Sequence, residues 1–367
     1  MATKREAAAL ALAVAVLAGC ATTAPDPAPT AAAAGAATDA VEQAAEGSAA
    51  AEPLAGSSAI SLWETEPRPE DGLAGLAVWP GAGQRPWLLV AARDSHRLVL
   101  FDAASGELLR EFGSLGERPG SFREPVDVAV AGDLAFVVER GNARVQVLRL
   151  PGLATVGFLG EGVLGRPAAV AVEPDEEGWA VWVAGETVAV EVPDDGGTET
   201  ASAGVAVHPF TVSAAGSPLA ERRGVLDLGR PGHVVALALA PDGAAALAAV
   251  GSPDEPLGSG LSPSLLGSRS LEVVTGPVAG AAPFPCSAGH GWLVAVPGGG
   301  LLALSPQGSA AAIGLPDVAA TVVALGLAGP APGRSAAGTL YAVTADSRVV
   351  AIDGAELAAG LGPLVCR

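Results

Sequence analysis

Four charged residues between positions 93 and 140 could bind an anion or a metal ion. Arg93 and Arg140 carry guanidinium groups, whose planar fork matches the oxygens of a phosphate. Asp127 and Glu139 carry carboxylates, which are ligands for hard cations such as calcium. The same residues could instead form solvated ion pairs or ion pairs within one sheet, which contribute little to stability. The sequence leaves both interpretations open, and without further carboxylates calcium would be held weakly.

A different chemistry is indicated at Cys20. Lys4 and Arg5 precede an apolar stretch from 7 to 17, which is shorter than the roughly 20 residues that a membrane-spanning helix needs. The segment that follows, Leu-Ala-Gly-Cys, resembles the bacterial lipobox, whose cysteine receives the lipid. We therefore predict a signal peptide at 1–20 and a lipid on Cys20. The alternative is an ordinary secretory signal with an incidental cysteine.

The residues after Cys20 predict which membrane holds the protein and how its folded domain is attached. Ala21 follows the cysteine, and by resemblance to known sorting rules this favours the outer membrane, facing the periplasm or the cell surface. Residues 21–58 are rich in Ala, Pro and Thr and lack aromatic residues, a composition that cannot offset the entropy of ordering. We predict a disordered tether at 21–58 and a folded domain at 59–367.

Two further cysteines remain once Cys20 is lipidated. Cys286 and Cys366 form an even pair in an oxidising compartment, which favours a disulfide between them. The alternative is two unpaired cysteines, one of them buried and the other in a frayed terminal segment. Counting free thiols by mass spectrometry of the non-reduced protein would separate the two.

Composition excludes several functions. The formal net charge of −19 argues against a nucleic-acid partner, because binding to phosphates depends on Lys and Arg. Lys4, the one lysine of the sequence, lies in the predicted signal peptide, which excludes lysine-based covalent chemistry in the mature chain.

Two local motifs have simple structural explanations. The glycines of 160–165 match a dinucleotide-binding pattern, but Arg166-Pro167 follows and predicts a turn between strands. The acidic clusters at 64–71 and 175–177 are predicted to be solvated loops, with a weak calcium contact as the alternative.

The elements that must position these residues are short strands in a repeating unit. Each unit contains alternating apolar runs separated by Gly, Pro or Asp turns, a pattern typical of four-stranded propeller blades. In the first two units the predicted strands are 73–79, 87–91, 98–102, 107–112, 125–130, 134–138, 145–150 and 155–158. We predict an all-β fold, a β-propeller of six blades with four antiparallel strands each. Loop insertions at 193–202 and 252–268 leave five or seven blades open, and a β-sandwich is the alternative fold.

The second unit carries a family resemblance. Residues 120–130 read Gly-Ser-Phe-Arg-Glu-Pro-Val-Asp-Val-Ala-Val, and 142–147 read Asn-Ala-Arg-Val-Gln-Val. Both segments closely resemble the NHL repeat. Asn142 suits the tight turn between strands, and alternation places Arg144 and Gln146 on the face opposite to the neighbouring valines.

Across 62–367 the order of segments also resembles the bacterial β-propeller phytase-like proteins. The matching segments are the first strand ending in Val-Trp, the Phe-Asp-Ala-Ala-Ser-Gly-Glu segment from 101, the Val-Glu-Arg strand ending at 140, and the closing segment 340–353. The resemblance implies calcium ions and phosphate in a central channel lined by carboxylates, with the metal activating water. This chain departs from that pattern, because 73–76, 183–185 and 283–288 carry no carboxylate.

Two functional hypotheses follow. The first is a non-catalytic propeller lipoprotein that binds a ligand or an envelope protein through its channel face or blade rims. The second is a calcium-dependent phosphomonoesterase acting on phytate, of the myo-inositol hexakisphosphate phosphohydrolase type, with a phosphorylated small molecule as its ligand. The intact repeat and the missing carboxylates favour the first, with Arg93, Asp127, Glu139 and Arg140 as the remnant of an anion or metal site.

Overall fold

The structure is a computed structural model. It describes residues 61–81, 85–176, 178–187, 191–194, 197–200, 204–215, 217–221, 224–228, 232–240, 244–252, 258–284, 290–297, 300–305, 310–313, 322–328, 338–355 and 357. Within these ranges, no helix is both long enough and apolar enough to cross a membrane.

The first two blades after the short strand β1 (Ser61–Glu64) are regular antiparallel sheets. Blade 1 consists of β2 (Leu73–Trp79), β3 (Trp87–Ala92), β4 (Arg97–Asp102) and β5 (Leu108–Phe112). Blade 2 consists of β6 (Pro125–Ala131), β7 (Leu134–Glu139), β8 (Arg144–Arg149) and β9 (Ala154–Leu159). The predicted strands of both units agree with these bounds to within one residue at each end, because alternation and turn residues mark them clearly.

Blade 3 contains an insertion and a divided outer edge. Its strands and those of the insertion are β10 (Arg166–Asp175), β11 (Gly178–Glu186), β12 (Glu191–Asp194), β13 (Gly197–Thr200), β14 (Val205–Ser213), β15 (Pro218–Glu221) and β16 (Leu226–Asp227). Strands β12 and β13 pair with each other in a separate sheet, while β15 and β16 both pair with β14. The insertion predicted at 193–202 therefore overlaps a hairpin outside the blade.

Blade 4 departs from the simple meander. It consists of β17 (His233–Leu239), β18 (Ala245–Gly251), β19 (Gly258–Leu266) and β20 (Arg269–Gly276), in the order β17-β18-β20-β19, with β18 and β20 parallel. The prediction of a loop insertion at 252–268 was wrong, because this segment contains the outermost strand. Its Gly, Ser and Pro content is typical of loops, but an outermost strand pairs through its backbone with a single neighbour.

The last blade joins the two ends of the described chain. Blade 5 consists of β21 (Gly280–Phe284), β22 (Gly291–Val296), β23 (Gly300–Leu304) and β24 (Ala310–Ile313), and blade 6 begins with β25 (Val322–Ala328), β26 (Thr339–Thr344) and β27 (Val349–Asp353). Strand β1 completes blade 6 by pairing antiparallel with β27, with Trp63 opposite Ala351. An N-terminal strand therefore closes the ring on a C-terminal sheet.

The innermost strands form a closed ring. Strand β2 contacts β6, which contacts β10, and the series continues through β17, β21 and β25 back to β2. The structure is thus a six-bladed β-propeller, which confirms the predicted fold and blade count.

The hydrophobic core is divided among the blade interfaces. Six clusters of buried residues occur in the described part of the chain, each joining two adjacent blades, with the last joining blade 6 to blade 1. In the cluster between blades 1 and 2, Trp79 packs with Phe122 and Leu148. Each such side chain stabilises the fold by about 1.5–3 kcal/mol when fully buried.

Tryptophan indoles add polar links at these interfaces. Trp79 Nε1 donates to Asp133 of blade 2 at 3.3 Å. Trp292 Nε1 of blade 5 donates to Glu272 of blade 4 at 2.8 Å. Buried indoles need such an acceptor, so these carboxylates fix the angle between neighbouring blades.

Candidate functional site

All six innermost strands line a cavity of about 500 Å³ on the channel axis. Its wall consists mostly of Ala, Gly, Val and Leu from the first halves of β2, β6, β10, β17, β21 and β25. We define the channel mouth as the polar residues in this lining, which are Arg93, Asp94, Asp127, Arg140, His233 and Ser347. A concave wall with a few polar groups is the usual setting of a ligand site.

Local irregularities in the strands shape the mouth. The pairing register shifts near the start of β2, β6, β10, β17 and β25, for example between Pro125 and Asp127. An extra residue at such a bulge bends the strand and redirects its side chains. The bulge in β6 accordingly places Asp127 in the cavity wall.

Arg93 lines the channel mouth and forms an ion pair with Asp94. Its Nε donates to Asp94 Oδ1 at 2.7 Å, and both side chains are about half exposed. This hydrogen bond raises the pKa of Arg93 and lowers the pKa of Asp94. The Arg93–Asp94 pair is therefore neutral as a unit.

Arg140 differs from Arg93 in its pairing. Its backbone N–H donates to Glu124 O at 3.0 Å, which fixes the turn after β7. Within the described ranges, its guanidinium has neither an ion-pair nor a hydrogen-bond partner. Burial in the wall, followed by the field of Arg166, lowers the pKa of Arg140. An arginine remains charged at neutral pH despite such a shift, so the mouth presents one uncompensated cation.

The nearby charges do not compensate Arg140. Arg166 pairs with Glu186 at 3.7 Å, so that carboxylate is shared. Glu186 and Glu124 each raise the pKa of Arg140 by less than burial lowers it, and the net shift is downward. An anion arriving at the mouth would meet a cation whose hydration is already reduced, which strengthens the pairing.

Asp127 forms a bridge between blades. Its Oδ1 accepts the N–H of Val128 and its Oδ2 accepts the N–H of Val170 on β10, each at 2.9 Å. Gly75 of β2 lies against it, and a Cβ at Gly75 would come within 2.1 Å of Asp127 Oδ1. Burial raises the pKa of Asp127 to about 7, against the opposite effect of the two N–H donors.

This raised pKa makes stability depend on pH. In the folded state Asp127 holds its proton up to about pH 7, whereas an unfolded aspartate releases it near pH 4. Stability contributed by Asp127 is therefore present below about pH 4 and is lost as the pH rises to about 7. We expect the free energy of unfolding of the wild type, relative to Asp127→Asn, to fall by about 2–4 kcal/mol between pH 4 and pH 8.

Denaturant titrations of both proteins at each pH measure this difference. Asp94→Asn is the control, because the pKa of Asp94 is lowered and its effect belongs below about pH 4. A wild-type minus Asp127→Asn difference that is constant from pH 4 to pH 8 would contradict the assignment.

Glu139 does not line the cavity. It is fully buried inside blade 2, where its Oε1 accepts from Arg144 Nε at 2.9 Å and from Gln146 Nε2 at 3.0 Å. Its Oε2 accepts from Asn142 and from the N–H of Arg123. The polar residues of the NHL-like segment thus meet one another within the blade, and only Arg93, Asp127 and Arg140 of the four predicted site residues come together.

The described residues do not fit a calcium centre. Calcium takes 6–8 oxygen ligands. Two carboxylates, those of Asp94 and Asp127, occur in the cavity wall within the described part of the chain, and both oxygens of Asp127 accept backbone N–H groups. The same ranges contain no group of three or more His, Cys, Asp or Glu residues placed to hold a metal.

One buried ionic cluster was not predicted. Asp71 is fully buried and pairs with Arg68 and with Arg97, the latter at 3.4 Å. Glu111 on β5 also pairs with both arginines. The prediction of a solvated loop at 64–71 was wrong at Asp71, because this loop is fixed against blade 1 just after β1 closes the ring. The spacing of three residues between Arg68 and Asp71 was the feature of the sequence that could have indicated this ion pair.

The predicted lipidation and disulfide sites lie elsewhere. Cys20, Cys286 and Cys366 all fall outside the described residues. Lipidation at Cys20 and the Cys286–Cys366 disulfide therefore stay predictions.

Comparisons with known proteins do not identify a family for this chain. No family model and no curated protein matches the chain. Two crystal structures of BBS1N in complex with ARL6DN, soaked with mercury or with lead, are similar to it at TM-scores of 0.47 and 0.46, with 12% and 13% identity, over 81% of this chain and 97% of that chain. Kuenenia stuttgartiensis hydrazine synthase is similar at a TM-score of 0.43 with 12% identity over 81% of each chain. We take no functional argument from likenesses at this level.

Proposed function

We propose that this protein is a non-catalytic binding propeller that holds an anionic group at its channel mouth. The observation that carries the proposal is Arg140, a half-buried guanidinium in the cavity wall with no partner within the described ranges. A desolvated charge without a counter-ion costs free energy. A bound anion recovers that cost, and a guanidinium offers it two parallel hydrogen bonds.

The composition of the wall supports binding over hydrolysis. A phosphomonoesterase of the calcium-dependent kind needs metal ions to polarise the phosphoryl group and to activate water. Asp127 is engaged with Val128 and Val170, and Glu139 with Arg144, so neither carboxylate is free for a metal. Arg140 alone supplies positive charge but neither a nucleophile nor a base.

We further propose that the propeller is displayed in the bacterial envelope on a lipid at Cys20. The lipobox-like segment supports the anchor, and the tether at 21–58 would let the channel mouth face away from the membrane. The polar residues of the NHL-like segment stabilise blade 2, which carries Arg140 at the end of β7.

A phosphate-release assay separates binding from turnover. We expect the mature chain to release no phosphate from phytate or from p-nitrophenyl phosphate above the buffer rate, with or without calcium, because the described residues of the wall do not form a metal-ligand set. The measurement is inorganic phosphate over several hours at pH 7. Calcium-dependent release that is lost in Arg140→Gln and kept in Arg110→Gln would contradict the proposal, since Arg110 lies on the outermost strand of blade 1.

A further inference from the structure

The cavity wall exposes strand edges. Strands β2, β6, β10, β17, β21 and β25 each stand at the inner end of their sheet and have a strand neighbour on one side. Their other edges converge on the cavity, which all six of them line. An unpaired strand edge presents alternating N–H and C=O groups that can pair with another extended chain.

Small side chains make these edges accessible. The wall includes the partly exposed residues Ala74 and Ala236. Residues of this size allow a second backbone to approach closely. A polypeptide is therefore better matched to this wall than a compact anion such as phosphate, which would leave most of the edge groups without partners.

The structure contains an internal example of a carboxyl group bound to such an edge. Asp127 Oδ2 accepts the N–H of Val170 on β10 across the boundary between blades 2 and 3, at 2.9 Å. Arg140 belongs to the adjoining turn of blade 2 and lines the same cavity. The Val170 N–H is itself taken by Asp127, so an incoming carboxylate would pair with Arg140 and the peptide backbone with another part of the inner edges.

We propose that the cavity receives the free C-terminus of an extended peptide with small side chains. Its terminal carboxylate pairs with Arg140, and its backbone pairs with an exposed inner strand edge. A cavity of about 500 Å³ accommodates a few residues, so the occupant is a chain terminus and not a folded domain. This inference rests on the proposed function, because it requires that the mouth bind an anion.

Matched peptides test the inference. Isothermal titration calorimetry is carried out on the full chain with N-acetyl-tetra-alanine as the free acid and as the C-terminal amide, and with sodium acetate and inorganic phosphate. We expect the free acid to bind at least about tenfold more tightly than the amide, because a charge-assisted bidentate pair is lost in the amide. We also expect the affinity for the free-acid peptide to exceed the affinity for acetate by a similar factor, because acetate has no backbone to pair with a strand edge.

Three variants locate the binding. Arg140→Gln should bring the affinities for acid and amide to within about twofold of each other, while Arg110→Gln, on the outermost strand of blade 1, should keep the difference. Ala74→Phe should weaken binding of the peptide more than binding of acetate, since residue 74 lines the cavity wall and belongs to none of the six core clusters. Circular dichroism and thermal unfolding show that each variant is folded.

Failure of the peptide inference and failure of the proposed anion-binding function give different results. Equal binding of acid and amide would overturn the peptide inference, and so would acetate or phosphate binding as tightly as the peptide. In either case, Arg140-dependent binding of acetate or phosphate would leave the anion site standing. Absence of any Arg140-dependent binding by all four probes would overturn both.

Discussion

Replacing Glu139 by alanine should lower the free energy of unfolding by about 3–5 kcal/mol. The carboxylate is fully buried and accepts hydrogen bonds from the side chains of Asn142, Arg144 and Gln146. Its removal leaves the buried guanidinium of Arg144 without its buried counter-ion and takes one acceptor from each of two amides, which keep the carbonyls of Gly116 and Ser121. Because Arg144 and Gln146 are buried, the cost is mainly that of an uncompensated buried guanidinium.

Glu161→Ala is the matched control for this prediction. Glu161 pairs with the same Arg144 at 3.1 Å, but its side chain is 59% exposed. An exposed partner contributes at most about 1 kcal/mol. Denaturant unfolding monitored by circular dichroism measures both variants. Equal losses for Glu139→Ala and Glu161→Ala would show that the network in blade 2 is not formed in solution.

The second large effect is expected at Gly75. A Cβ added there would lie 2.1 Å from Asp127 Oδ1 and 2.6 Å from Asp127 Cα. The second of these contacts is with backbone, so a change of rotamer at Asp127 cannot relieve it. Gly75→Ala should therefore force β2 and β6 apart and destabilise the protein by about 3 kcal/mol.

The effect of Gly75→Ala should also reach the channel mouth. Moving β6 away from β2 shifts Asp127 relative to Val170, so any anion affinity at Arg140 should fall together with stability. Gly152→Ala is the control, because a Cβ at Gly152 would meet no atom within 4 Å, and it should change stability by less than about 0.5 kcal/mol. Unfolding midpoints that are the same for the two variants would contradict the close contact between blades 1 and 2.

The strands of the propeller could be predicted from the sequence where alternation of apolar and polar residues and turn residues mark their ends. Blades 1 and 2 alternate cleanly and are bounded by Gly and Asp turns, so their strands could be predicted closely. Strand β19 was missed because an outermost strand of Gly and Ser needs no apolar face. Strand β1 was missed because its partner β27 lies at the other end of the chain, and no local pattern reports a pairing of that kind.

The candidate site was predictable only in part. Arg93, Asp127 and Arg140 reach one cavity because each lies near the start of an innermost strand or the end of its neighbour. Glu139 is one residue before Arg140 yet belongs to the interior of blade 2. Every residue of β7 is buried, so its sequence gives no alternation that could distinguish a channel side chain from a core side chain.

The most direct test of the central claim is an NMR titration of arginine side chains. Sodium acetate is added to the 15N-labelled chain at constant ionic strength, and the Nε–Hε resonance of Arg140 is assigned by its loss in Arg140→Gln. We predict a saturable shift of the Arg140 resonance and none at Arg110, which lies on the outermost strand of blade 1. A shift at Arg140 that does not saturate, or one that Arg110 matches, would contradict the proposal that the channel mouth is an anion-binding site.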